Sequence, residues 1–531
     1  MTENEPALYR QWLDNADGEL RQAILSLSEE EAAETFADPI SFGTGGIRRK
    51  EGVGPGRIND VTVAWAAAAL AETLRREPEA IRSGGGKEVL IFRDTRQNSL
   101  RYARLTAAVL EEKRIPAVLL DTPAPVPMLS FALKSGGYRC GVMITASHNP
   151  AAYNGMKLYN GLGGQLTPAA TAAVERRLKA VSPFDLLKSA RERMTKPRFC
   201  RADGDRLRRA YLDAVTSLPE DGITLKAAAT PLYGAAGTLL REALSRRGHM
   251  VFTVPEQERP DPLFGGVAAP NPEDPAVFDL IRPVGEANGA DLLLAVDGDG
   301  DRCGCFVREG ERYTALSGND IAAVLLHHLC ETVPIPDRGY IVRTAVSGGL
   351  GEKVAAAYGL RALVTPTGFK YIGEALADDD NGVFFAGYEE SGGFLWGSHA
   401  ADKDGIAAAV LLCAAAARQK RAGKTLLSDL RELRAACGEE TARTERFAFP
   451  GLSGRRQMEE CLSYFKTNPF PDGDLSVRGD TLTFRFPGER KAALRPSGTE
   501  PYLKLYCFAA APGGAETLPN RFRPVIESFR R

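Results

Sequence analysis

The chain has 531 residues, 44% of them hydrophobic and 25% charged, with a formal net charge of -1 and a pI near 6.6. Usage of this kind is that of a globular protein, and the length predicts roughly three to five domains. The near-neutral balance excludes the global basic field of a nucleic-acid binder, and the alanine run at 64–71 is far too short to cross a membrane.

Residues 1–5 are acidic and lead into no apolar run, so no signal peptide is expected. The nine cysteines, at 140, 200, 303, 305, 330, 413, 437, 461 and 507, form no Cys-x-x-Cys pair. They predict reduced core thiols in a cytoplasmic protein.

Residues 1 to about 40 read as helical, through Leu8, Trp12, Leu20, Ile24 and Leu27, with a second helix starting at Ser28. The loop Phe42-Gly43-Thr44-Gly45-Gly46-Ile47-Arg48 follows; its glycines let backbone amides approach an anion, and it also fits a flexible loop. Strands are expected at 89–92, 117–120 and 140–144, and helices at 100–113, 126–134 and from Thr167-Pro168 to 181. Asn154-Gly155 reads as a turn pair. A second round places helices at 205–217 and 237–247, strands at 225–229 and 291–296, and a helix from Pro275, with a proline-rich loop at 260–272. A third has helices at 319–330, 350–358 and 405–418 and strands at 340–342 and 382–386. This alternation argues for mostly parallel α/β layers. After about residue 440 short alternating segments, such as 482–486, predict an α+β module.

Four stretches carry chemistry. At the end of the strand 140–144, Thr145-Ala146-Ser147-His148-Asn149-Pro150 presents a hydroxyl, an imidazole and an amide, stiffened by Pro150. It is a mount for a covalently acting serine, or an ordinary polar turn. At the end of 291–296, Asp297, Asp299 and Asp301 alternate with glycines. Their repulsion calls for a hard cation; a solvated acidic turn is the rival reading. A calcium loop of the EF-hand type is excluded, because Arg302 and Arg308 stand where it needs Gly and Glu. Three carboxylates leave a position for a phosphate oxygen, which fits Mg²⁺. Arg495-Pro496-Ser497-Gly498-Thr499 reads as an anion cradle, or as a polar hairpin. Glu389-Glu390-Ser391 offers acceptors suited to a polyol, while Lys370 and Lys403 read as loop lysines able to reach a phosphate or a sugar oxygen. His399 is the weakest candidate.

Together these stretches resemble the α-D-phosphohexomutase family, whose marks stand here in order at 145–150, 297–302, 387–392 and 495–501. The 42–48 loop and Thr367-Gly368-Phe369-Lys370 resemble the phosphoglucomutase branch, which also holds bisphosphate synthases and phosphopentomutases. The resemblance implies three related α/β mixed-sheet domains and a smaller C-terminal α+β domain around a central cleft. On this chain the divisions are a helical extension 1–40 and domains 41–190, 191–306, 307–436 and 437–531. It implies a phosphoglucomutase that interconverts glucose 1-phosphate and glucose 6-phosphate through a phosphoserine at Ser147 and a bisphosphorylated sugar. Mannose or pentose phosphates are alternative substrates, and a metal-dependent sugar phosphatase or a silent phosphosugar sensor are alternative classes.

Mg²⁺ would be held by Asp297, Asp299, Asp301 and an oxygen on Ser147, with glucose 1,6-bisphosphate as activator. Lys157 would be the base, its pKa depressed by Arg48, and His148 would orient the phosphoserine. Thr367, Gly368, Glu389 and Ser391 would hold sugar hydroxyls, with Arg302, Lys370 and Lys403 also on the substrate; Arg495, Ser497, Gly498 and Thr499 would grip the distal phosphate. Sugar phosphates are the expected partners of a monomer or weak dimer, with no nucleic acid and no membrane. The chain departs from the family's pattern at three places: Arg49-Lys50-Glu51, Arg93, and Gly393, where some relatives carry a histidine.

Overall fold

The computed structural model describes residues 5–530 apart from 44, 185–186, 196, 218–222, 439, 452, 498–501 and 511–512. Among the described residues the strands form four sheets that succeed one another along the chain. The first has six strands in the order Ile47–Lys50, Tyr153–Asn160, Cys140–Ile144, Val89–Arg93, Ala117–Leu119 and Cys200–Arg201. Its last four strands are parallel, while Tyr153–Asn160 runs antiparallel to both of its neighbours. The second has five strands and the third four, each parallel in part and closed at one edge by antiparallel strands. The fourth, of five strands from Thr441–Ala448 to Tyr502–Ala509, is antiparallel throughout. This is the four-domain arrangement that the resemblance implies, with mixed rather than mostly parallel sheets.

Strand composition follows burial. Cys140–Ile144 and Leu292–Val296 are apolar or small at every position because both faces of each are covered. The helix Gly405–Arg421, capped by Asp404, is buried at every residue except Arg418, Lys420 and Arg421, so alanine suits it on all sides. One apolar core runs through the first three sheets and this helix. The N-terminal helices bring Trp12 and Phe36 into a second core behind the first sheet. The C-terminal sheet has a core of its own around Phe465, Phe484 and Phe522, and it meets the third domain at Val346, Ala493, Tyr506 and Phe508.

Several sequence expectations change. The N-terminal helical stretch splits into Glu5–Asn15 and Gly18–Leu25, because Asp17 caps the second helix by accepting from Leu20 N. Ser28 does start the next helix, Glu29–Ala37, with a capping box. The alanine run belongs to a helix, Asp60–Arg76. Asn154-Gly155 is no turn; it lies inside Tyr153–Asn160. Gly155 pairs with Arg48, and a Cβ there would fall 2.0 Å from Ile47 O and 2.8 Å from Thr145 O. The glycine serves close strand approach, not reversal. Lys370 is not in a loop: it sits buried in the first turn of Phe369–Leu376.

Candidate active site

The Cys140–Ile144 strand delivers Ser147 into the interior, 1% exposed. Thr145 makes the bend: its Oγ1 accepts from Ser147 N at 2.8 Å, and Ser147 adopts φ +52°, a left-handed conformation uncommon for a serine. From there Ser147 Oγ lies 3.2 Å from Asp297 Oδ2 and 3.3 Å from His148 Nδ1. Burial holds the His148 imidazole well below its usual range, and Arg302 and Arg48 push the same way, so the ring is neutral.

The aspartate loop comes from the second sheet and crosses to meet the serine. Gly300 takes φ +73°, and a Cβ on it would fall 2.7 Å from Pro125 Cβ. Asp297, Asp299 and Asp301 are fully buried, and ligand oxygens of all three lie within 4.8 Å of one another. Asp297 Oδ1 accepts from the backbone N of Asp301 at 2.9 Å and of Arg302 at 3.1 Å. Asp299 Oδ2 accepts from Lys157 Nζ at 2.7 Å, and Asp301 Oδ2 from Lys157 Nζ at 3.1 Å and Lys403 Nζ at 2.9 Å. Burial, and then the Asp301 and Asp299 charges, raise the Asp297 carboxyl well above the carboxylate range. Burial opposes ionisation of Asp301 too, yet Lys157, Lys403 and Arg302 hold it below that range.

The other oxygens, Asp299 Oδ1 and Asp301 Oδ1, are buried without a hydrogen-bond partner. Orphaned acceptors of this kind are costly, and a hard divalent cation satisfies them, so the residues fit such an ion.

Beside this cluster opens a cavity of about 160 Å³ between all four domains. Arg48, His148, Arg302, Thr367, Gly368, Glu389, Ser391, Lys403, Arg495 and Ser497 line it. Ser391 Oγ donates to Glu389 Oε1 at 2.9 Å. Gly43, Gly45 and Gly46 line its other wall; a Cβ on Gly46 would lie 2.4 Å from Met156 O, which brings the glycine loop onto the Lys157 strand. Lys370 does not line the cavity and lies over the Tyr371 ring. Gly498 and Thr499 fall outside the described residues. His399 pairs with Asp404 at 2.9 Å, away from the lining.

Gly393 has a local reason: a Cβ there would sit 2.6 Å from Lys403 Cδ, so the glycine leaves room for the lysine stem. Sequence reasoning missed Gln165, Tyr502 and Lys504, which also line the cavity. Tyr502 and Lys504 alternate along Tyr502–Ala509, so a period-two reading of that strand would have placed them on one face. It also missed Asp402, which accepts from Gln165 Nε2 at 2.8 Å and stands behind Lys403.

The chain matches three family models described as phosphoglucomutase/phosphomannomutase alpha/beta/alpha domains I, II and III, over residues 39–183, 209–310 and 317–433. It is 30% identical to a phosphoglucomutase of Staphylococcus aureus strain N315 over 94% of this chain and 95% of the relative. A Thermus thermophilus structure, provisionally described as a phosphomannomutase, superposes with TM-score 0.71 at 25% identity, covering 92% of this chain and 99% of the other. An Aspergillus fumigatus N-acetylphosphoglucosamine mutase in complex with GlcNAc-6P and magnesium shares the fold at TM-score 0.53 and 16% identity, covering 97% of this chain and 100% of the other. The same fungal enzyme has also been solved with glucose 1,6-bisphosphate.

Proposed function

The chain belongs to the phosphoglucomutase/phosphomannomutase family, and from that premise we propose that it interconverts glucose 1-phosphate and glucose 6-phosphate by way of a phosphorylated Ser147. The enzyme is an intramolecular phosphotransferase. One observation carries the mechanism: Ser147 Oγ lies 3.2 Å from Asp297, under a cavity ringed by Arg48, Arg302, Lys403 and Arg495. Phosphoryl transfer needs alignment and charge stabilisation more than covalent chemistry, and this arrangement supplies both.

Mg²⁺, seen in the fungal relative, would be held by Asp297, Asp299, Asp301 and an oxygen on Ser147, where it would polarise the phosphoryl group. In the forward step the bond from phosphorus to Ser147 Oγ breaks and a bond to a sugar hydroxyl forms. Lys157 takes the hydroxyl proton as a neutral amine, having first released its own ammonium proton to solvent. Its Nζ rests on Asp299 and Asp301, so that ion pair has to open first. His148 orients the phosphoserine through its neutral ring.

Glu389, Ser391, Thr367 and Gly368 hold sugar hydroxyls, and Arg302 and Lys403 assist there. Arg495, Ser497, Gly498 and Thr499 hold the phosphate that does not react. The sugar bisphosphate then reverses in the cavity and returns its other phosphate to Ser147. Arg495 and Ser497 on the cavity wall favour a mutase over a phosphatase, because hydrolysis has no need to grip a second phosphate.

The test is purified protein with Mg²⁺ and a trace of glucose 1,6-bisphosphate, offered glucose, mannose, glucosamine and ribose 1-phosphates in parallel. Glucose 1-phosphate is expected to turn over fastest. Ser147→Ala is expected to fold and to abolish turnover; unchanged turnover in that variant removes the covalent mechanism.

A further inference from the structure

We propose that Arg96 is a positioning residue for Ser147, and that this buried guanidinium sets where the serine stands over Asp297. The inference rests on the mutase reading for its kinetic consequence and on geometry for the rest. Arg96 touches neither the cavity nor the acid cluster, and it is 1% exposed. A guanidinium has five N–H donors in a rigid fork, and here all five are used. Nε donates to Asp94 Oδ2 at 3.0 Å. One terminal nitrogen donates to Pro150 O at 2.7 Å and Tyr153 O at 2.8 Å, and the other to Ser147 O at 2.6 Å and Asn149 O at 2.7 Å.

Four carbonyls that enclose the serine turn thus converge on one side chain. Those of Ser147, Asn149 and Tyr153 are buried and would be costly to leave unpaired, while Pro150 itself is exposed. The convergence also accounts for the left-handed backbone of Ser147, a conformation that persists only where its surroundings over-determine it. Asp94 fixes the fork in turn: its Oδ1 accepts from Arg96 N at 3.0 Å and from Ser99 Oγ at 2.6 Å.

The second domain completes the arrangement. The Phe264 ring lies under the Arg96 guanidinium at 5.0 Å, a cation–π contact out of water. A Cβ on Gly298 of the aspartate loop would fall 3.0 Å from Ser147 O and 3.4 Å from the Phe264 ring. Ser147 O is therefore held between Arg96 and the loop that carries the acids. Arg96 reports the position of the second domain to the serine of the first.

The experiment compares full-length wild type, Arg96→Lys, Arg96→Ala and Phe264→Leu with Mg²⁺ present. Lysine keeps the charge but lacks the fork. Arg96→Lys is expected to lower kcat for glucose 1-phosphate by about 10²-fold, the scale of an ångström-sized misplacement, with KM little changed. Guanidinium ion is expected to restore part of the activity of Arg96→Ala. Phe264→Leu keeps all five hydrogen bonds and should give a smaller fall in kcat at unchanged KM. Amide hydrogen exchange over residues 147–153 should quicken in the Arg96 variants.

Unaltered kcat and unaltered exchange in folded Arg96→Lys overturn the proposal, as does activity lost only in step with folded protein and not restored by guanidinium. If neither Arg96 variant folds, Phe264→Leu decides: wild-type kcat overturns the proposal, and a kcat-only loss supports it. A wild-type protein that never takes phosphate on Ser147 sinks the mutase reading instead, and hydrogen exchange then still decides the positioning.

Discussion

Lys157 carries an ammonium into a cluster where Asp299 and Asp301 accept from it at 2.7 and 3.1 Å and both acids keep one orphaned oxygen. The proposed transfer also uses that side chain at the sugar hydroxyl, which would make its ion pair one state of a residue with two partners. Lys157→Met should lower kcat by roughly 10²–10⁴; a loss confined to KM would instead make it a binding residue. Removing the ammonium leaves the buried Asp299 without its lysine, while Asp301 keeps Lys403, which destabilises the fold until a cation replaces it. Mg²⁺ should therefore raise the thermal midpoint of Lys157→Met more than that of wild type, as ligand linkage requires. Equal shifts would mean that lysine and metal do not share those oxygens. Single residues of this kind were half legible in the sequence: a lysine after a serine motif marks a candidate, but its partners lie 142 and 144 residues away.

Among the elements, the edge strand Ile47–Lys50 does more than close the first sheet. It holds Arg48 opposite Gly155, and the glycine's missing Cβ lets the two backbones approach. Gly155→Ala should cost about 1–3 kcal/mol through overpacking and shift Arg48. Urea unfolding should show a lower midpoint and steady-state assays a lower kcat/KM; wild-type values in both would show that the edge yields freely. The helix Gly405–Arg421 plays a comparable part for the acids: Gly405 N donates to Gly300 O at 3.2 Å, and a Cβ on Gly405 would lie 2.5 Å from Arg302 O. A fully buried helix start thus abuts the aspartate loop. The alternation of strands and helices was readable because each has its own period. Mixed sheet direction was not, since a strand's polarity depends on its neighbour.

Across the whole molecule, one core unites three domains while the C-terminal domain keeps its own. The serine and aspartate loops are thereby fixed to each other, and the wall carrying Arg495 hangs on a narrow seam. Lys491 lies in that seam, over the Phe508 ring, donating to Ser347 O at 3.2 Å. Burial pushes its ammonium down to about 8, helped by Arg343 beside it, while Glu440 and Glu352 oppose the shift. An unfolded lysine titrates near ~10.4, so between about pH 8 and pH 10 the unfolded chain holds a proton that the folded chain has released, and stability rises with pH. Relative to Lys491→Met, the thermal midpoint of wild type should climb over that window; a constant difference between the two would remove Lys491 as the cause. A cavity of about 830 Å³ beside the seam shares Glu390, Ser391 and Lys504 with the smaller one.

By itself the sequence determined the α/β rhythm, the strand ends that bear Ser147 and the three aspartates, and the glycines that permit tight backbone. These follow from local periodicity and turn chemistry. Only the tertiary structure decided that Ser147 and Asp297, 150 residues apart, face each other at 3.2 Å, that Arg96 gathers four carbonyls beneath the serine, and that Lys370 is buried in a helix instead of reaching the cavity. Such pairings depend on how separate sheets pack on one core, and no short-range pattern encodes that distance.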